Sequence, residues 1–132
     1  MKQFIQGIAI CASILLAPLA MAKDEARITI NVTNASAPVQ VLNTYGSLGM
    51  EILEATCSNS MCSFKVIDSD GNSSYAHVAA ITIGRDEYHA CQLSFQNIGG
   101  FWGDKIALAS KSCWGGWSSS DVQGSYVTIN GN

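Results

Sequence analysis

The chain has 132 residues, of which 48% are hydrophobic and 13% are charged, and its formal net charge is −3. This length fits one domain and a short extra segment. Lysine and arginine form no cluster anywhere in the sequence. The charge pattern therefore disfavours a nucleic-acid or anionic-membrane partner held by bulk electrostatic attraction, although it leaves room for one basic pocket for a single anionic headgroup.

The first 22 residues have the three parts of a secretory signal peptide. Lys2 supplies the charge, an apolar stretch runs from Ile8 to Leu16, and Ala20-Met21-Ala22 forms an A-x-A cleavage site. The apolar stretch is shorter than the roughly 20 residues that span a bilayer. We predict cleavage before a single mature domain at 23–132, secreted to the periplasm or the exterior without a transmembrane anchor.

Four cysteines remain after removal of Cys11 with the signal peptide, and an even number in an exported chain indicates disulfides. Their spacing lacks the C-x-x-C pairs that are typical of a zinc site. A hairpin with a four-residue loop at 58–61 would place Cys57 opposite Cys62. The predicted bridges are therefore Cys57–Cys62 and Cys91–Cys113.

The flanks of this hairpin support the pairing, because the same register sorts the side chains into an apolar and a polar face. The apolar face would pair Ala55 with Phe64 and Leu53 with Val66, and the polar face would pair Thr56 with Ser63 and Glu54 with Lys65.

Alternation of apolar and polar residues with a period of two predicts strands along most of the mature chain. In chain order they cover 28–33, 39–41, 51–56, 63–68, 75–83, 88–95, 106–113 and 126–129. Turn residues separate these runs, and none of them has a convincing helical period. We expect an all-β fold: an antiparallel β-sandwich of about seven or eight short strands, with a small barrel as the alternative.

Two glycine-rich segments contain all three tryptophans, at 99–103 and 114–117. Exposed aromatic faces stack on sugar rings or enter lipid interfaces, and glycines let such loops fit a ligand. We expect Trp114 to cover the neighbouring disulfide in the core and Trp117 to be the exposed ring. The predicted ligand-binding loop runs from Trp114 to Asp121 and uses Trp117, Trp114, Ser118 and Asp121.

Neither the acidic turn nor the histidines predict a metal or a catalytic centre. Asp68, Asp70 and Asn72 alternate as in a calcium loop, but glycine is at the fourth position and alanine at the twelfth. An ordinary polar turn explains them. His77 and His89 lie within strand patterns without a hydrolase motif, so we predict no catalytic residue, metal or cofactor.

These observations favour a non-enzymatic binding module over other functions, since loops on a rigid sandwich commonly bind ligands. Its partner would be a glycan, a lipid headgroup or a protein surface, for example as a bacterial secreted factor. A small secreted hydrolase or hydrolase inhibitor is the first alternative. A homo-oligomeric structural subunit is the second, and an exposed, unpaired apolar edge strand would favour it.

The cleavage site yields a direct prediction for the exported product. Its intact mass should correspond to a chain that begins at Lys23 and contains two disulfides, because the A-x-A site immediately precedes the first cluster of charges. A mass that includes residues 1–22 would contradict it.

Overall fold

The structure is a computed structural model that describes residues 24–69, 78–97, 106–123 and 126–132. The predicted signal peptide, Asp70–Asn72, His77 and the aromatic segment 99–103 lie outside these ranges. The described strands are β1 (Asp24–Thr33), β2 (Gln40–Gly46), β3 (Met50–Ser58), β4 (Met61–Asp68), β5 (Val78–Asp86), β6 (His89–Asn97), β7 (Ile106–Trp114), β8 (Ser118–Gln123) and β9 (Tyr126–Asn130). No helix in the described part is long and apolar enough to cross a membrane.

The strands form two sheets, one in the order β3-β4-β1-β9-β8 and the other in the order β2-β5-β6-β7. Neighbouring strands are antiparallel except β1 and β9, which are parallel. Both sheets have free edges, so the fold is not a closed barrel. This confirms the predicted all-β sandwich, and β8 is a strand that the alternation pattern missed.

Alternate residues of the inner strands build the core between the sheets. Ile28, Ile30 and Val32 of β1 are all buried, whereas the intervening residues are not. Across the sheets, the rings of Phe64 and Phe95 meet edge to face with centroids 5.6 Å apart. The period of two in the sequence therefore marks the buried face directly.

Both predicted disulfides are present, and the presence of two suggests an oxidising compartment. Cys57–Cys62 closes the β3–β4 hairpin, and Cys91–Cys113 joins β6 to β7 as a directly opposed pair. By loop-closure entropy the first contributes about 2 kcal/mol and the second about 3 kcal/mol to stability.

The predicted register of the β3–β4 hairpin is correct beside the disulfide and wrong farther from it. Thr56 pairs with Ser63 as predicted, but a bulge then places Leu53, not Glu54, opposite Lys65. The extra residue shifts every later position by one, so Ile52 and not Leu53 pairs with Val66, and Glu54 and Ala55 together lie opposite Phe64. Its physical benefit is that Met50 points into the core and is almost fully buried.

The bulge also determines where Glu54 lies, because its φ of 54° is in the left-handed region. Glu54 accepts a hydrogen bond from Arg27 at 2.8 Å, and Lys65 Nζ is 3.5 Å from its other oxygen. The hydrogen bond from Arg27, followed by the charge of Lys65, lowers the pKa of the Glu54 carboxyl. The predicted pairing of Glu54 with Lys65 thus survives as an ion pair although the strand register differs.

The polar cluster in the sequence suggested that Asp68 lies in a solvent-exposed turn, but the structure places it elsewhere. It is the last residue of β4 and is fully buried, where Asn97 Nδ2 donates a hydrogen bond to its Oδ2 at 2.5 Å. A buried carboxylate needs such partners, because burial without them costs several kcal/mol. This contact joins the two sheets at the end of the sandwich opposite the disulfides.

The turn between β2 and β3 contains a strained exposed leucine and gives a stability prediction. Leu48 has a φ of 50° and is 56% exposed, whereas asparagine tolerates this conformation well. Leu48→Asn should raise the free energy of unfolding by about 0.5–1 kcal/mol in urea titration. Leu48→Ala is the matched control, since it keeps a Cβ and should give no gain; equal stability of the Asn and Ala variants would count against the strain.

Candidate functional site

One end of the sandwich gathers all the features that bear on a site, and we call it the loop end. It comprises the β1–β2 connection at 34–39, the turn at 59–60, the β5–β6 turn at 87–88, the β7–β8 connection at 115–117, and residues 131–132. Both disulfides lie close to this end. The cross-links therefore hold the strands from which the loops project.

The two tryptophans of the predicted binding loop have exchanged roles. Trp117 is 4% exposed and belongs to the hydrophobic core, whereas Trp114 is 37% exposed. The prediction of a buried Trp114 and an exposed Trp117 was wrong. The missed signal is the strand alternation itself: because Cys113 faces inward to Cys91, its neighbour Trp114 must face outward.

The connection between the two tryptophans is shorter than predicted. Only residues 115–117 separate β7 from β8, so Ser118 and Asp121 belong to a strand and not to a loop. Ser118 is exposed at the first position of β8, beside the loop end, and Asp121 lies three residues farther along the strand. Ligand binding by these two residues stays a prediction.

Two consecutive glycines make this short connection possible. Gly115 and Gly116 have φ values of 70° and 86°, in the region that other residues rarely adopt. A Cβ on Gly115 would also lie 1.9 Å from the carbonyl oxygen of Tyr88. The β7–β8 connection therefore lies directly against the β5–β6 turn, and the chain crosses from one sheet to the other in three residues.

Trp117 closes the core at the loop end. Its six-membered ring lies against Gly131, where an added Cβ would be 3.1 Å from Trp117 Cζ2 and 3.2 Å from the Cα of Ala35. Its Nε1 is buried without a hydrogen-bond partner among the described residues. Packing of the large ring, and not polar contact, therefore holds Trp117 in place.

Trp114 is fixed in a different way and keeps an accessible surface. It pairs with Ala90 on the outer side of its sheet, and its Nε1 donates a hydrogen bond to the carbonyl oxygen of Glu87 at 2.8 Å. The adjoining residue, Tyr88, is 70% exposed. Two exposed aromatic side chains thus project from segments that touch, and one of them is oriented before any ligand arrives.

Asp86 organises the β5–β6 turn next to these rings. Its Oδ1 accepts a hydrogen bond from the Tyr88 backbone at 2.9 Å and lies 2.7 Å from His89 Nδ1. The hydrogen bond to His89 is the main reason that the pKa of the Asp86 carboxyl is lowered. The geometry of the turn accounts for the contact between Asp86 and His89.

Arg85 connects this turn to the neighbouring loops. Its Nη1 contacts Ser36 Oγ and donates to the carbonyl oxygen of Asn132 at 3.0 Å. Ser36 is part of an open concavity of about 650 Å³ between the β1–β2 connection and the turn at 59–60. The residues that line it include the amides of Asn31 and Asn59 and no charged side chain. Arg85 therefore links the β5–β6 turn to a concavity whose own lining is polar and uncharged.

Comparison of the chain with protein-family models, with curated protein sequences and with solved structures finds no significant match. Within the described ranges, no group of three or more His, Cys, Asp or Glu side chains is arranged to hold a metal ion. Inference about function therefore depends on the geometry of the loop end and of the faces beside it.

The exchanged roles of the tryptophans predict opposite effects on stability. Trp117→Ala should lower the free energy of unfolding by about 3–5 kcal/mol because it empties a core position. Trp114→Ala should cost about 1 kcal/mol, mainly through the lost hydrogen bond to Glu87. Urea titration measures both. In variants that keep a single tryptophan, acrylamide should quench Trp114 more than Trp117; equal quenching would contradict the assigned burial.

Proposed function

We propose that this protein is an exported, non-enzymatic glycan-binding module that binds sugars at the loop end. The observation that carries the proposal is the pair of exposed rings, Trp114 and Tyr88, on touching segments. The apolar face of a sugar ring packs on an indole or phenol face, and its hydroxyls bond to nearby polar groups. Export rests on the predicted signal peptide at 1–22 and agrees with the two disulfides.

Preorganisation supports binding through Trp114 in particular. Its ring is held by the hydrogen bond to Glu87, and the Gly115 backbone packs against the same turn. A ring that is already ordered loses little conformational entropy when a ligand binds. The flanking disulfide Cys91–Cys113 restrains the strand that presents it.

The uncharged lining of the concavity supports a neutral sugar over an anionic lipid headgroup. Its described lining residues are amides, hydroxyls and small apolar groups. The predicted mature chain has six basic and ten acidic residues, which disfavours adsorption to an anionic membrane. Arg85 contacts Ser36 at the edge of the lining, but it also contacts Asn132 and is paired with Asp86 at 3.6 Å.

The contact between Asp86 and His89 keeps a small hydrolase as the second candidate function. A carboxylate that orients an imidazole is the arrangement of a general base. Both side chains are partly exposed, at 46% for Asp86 and 29% for His89, and they are three residues apart in one turn. A local structural role explains this contact without a reaction, so the binding module is the better-supported function.

Binding to an array of neutral oligosaccharides, built from glucose, galactose and N-acetylglucosamine, tests the proposal with the oxidised exported protein. Trp114→Ala and Tyr88→Ala should each weaken binding by about 5- to 150-fold, equivalent to about 1–3 kcal/mol. Tyr126→Ala is the matched control, because this tyrosine is exposed on the opposite sheet. Binding to lipid vesicles but to no oligosaccharide, or unchanged binding by the Trp114 variant, would contradict the proposal.

A further inference from the structure

The outer faces of the two sheets differ sharply in charge. On the β3-β4-β1-β9-β8 sheet, the outward side chains of Arg27, Lys65, Glu25 and Glu54 form a connected set of ion pairs. On the β2-β5-β6-β7 sheet, the described outward positions form three rows that run across the strands, and each row has one residue from each of the four strands. None of these residues is Asp, Glu, Lys or Arg. Lys111 of β7 pairs with the inward Leu93 and so belongs to the other side.

The uncharged face has a floor of small residues and an aromatic residue at two opposite corners. One row begins at Tyr45 on β2 and continues through Ala80 on β5. Another row ends at Trp114 on β7, beside Ala90 on β6. Ala80 and Ala90 are buried, whereas Tyr45 is 56% exposed and Trp114 is partly exposed. Small buried residues beside the two larger corner side chains make this face an open surface, which we call the platform.

Polar groups occupy the middle of this platform. The central row runs from Asn43 through Thr82 and Gln92 to Ser112. Asn43, Gln92 and Ser112 are exposed, so their amides and hydroxyl face solvent. Neutral donors and acceptors on this face match the hydroxyls of a sugar chain, whereas an ionic partner would leave its charges without a counterpart here.

The dimensions of the platform select an extended ligand. Tyr45 and Trp114 are separated by three strand spacings of about 4.8 Å and by four residues of about 3.3 Å along the strand. The diagonal between their Cα positions is therefore about 20 Å. A ligand that contacts both corners must be a chain of several units and not a single sugar.

We infer that the outer face of the β2-β5-β6-β7 sheet binds a linear, uncharged polysaccharide that runs from Trp114 to Tyr45. This inference rests on the proposed function, and it adds a ligand class and a surface to it. Trp114 belongs to both sites, because it ends β7 at the loop end and also forms a corner of the platform. The platform adds contacts that a short sugar bound at the loop end does not reach.

The test measures the affinity of the exported protein for a disaccharide and for a long soluble polysaccharide of the same sugar by isothermal titration calorimetry. It is carried out once with glucose polymers and once with N-acetylglucosamine polymers. The polysaccharide should bind at least about 10-fold more tightly per site, because only it reaches Tyr45. Tyr45→Ala and Gln92→Glu should remove most of this advantage and leave disaccharide binding within about 2-fold. Tyr126→Ala controls for loss of an exposed ring, and melting temperature confirms that the variants are folded.

Three results would overturn the inference, and each has a distinct signature. Equal affinity for the disaccharide and the polysaccharide, with both affinities still lowered by Trp114→Ala, would reject the platform and keep the proposed function. Binding to neither series would reject the proposed function and the platform together. A protein that sediments as a dimer, and as a monomer after Gln92→Glu, would show that a second copy of the chain occupies the face.

Discussion

The direct opposition of Cys91 and Cys113 on β6 and β7 is the constraint on which the site depends. Because side chains alternate along a strand, an inward cysteine at 113 requires an outward residue at 114. The outward direction places the Trp114 indole on the exposed outer face of the sheet, where it can donate its hydrogen bond to Glu87. The disulfide therefore determines the direction of a neighbouring side chain as well as limiting the unfolded state.

The second constraint is the crossing from one sheet to the other immediately after Trp114. Two glycines with positive φ turn the chain within three residues, and the next large side chain, Trp117, enters the core at that point. The same turn presses the Gly115 backbone against Tyr88. Closure of the core and assembly of the exposed aromatic pair are thus consequences of one local backbone path.

The sandwich divides its surface into two faces of different chemistry. Ion pairs among Arg27, Glu54 and Lys65 lie on β1, β3 and β4 of one sheet, near the surface, where such pairs contribute modestly to stability. The other sheet presents small and uncharged polar residues between Tyr45 and Trp114. Charge on one face keeps it hydrated, whereas the described cross-strand rows of the other face hold no ion that a neutral ligand would leave unpaired.

The sequence by itself determined the all-β fold, most of the strands and both disulfide pairs, because a period of two and paired cysteines are local signals. The direction of Trp114 was also present in that alternation, although sequence reasoning assigned the ring to the core. Only the tertiary structure decided the bulge at Glu54. The bulge shifts the strand register so that Met50 is buried in the core. The tertiary structure likewise decided the burial of Trp117 and the contact of Trp114 with Glu87. Both depend on how the sheets pack and where the backbone turns, and the residue pattern of a single strand does not encode either.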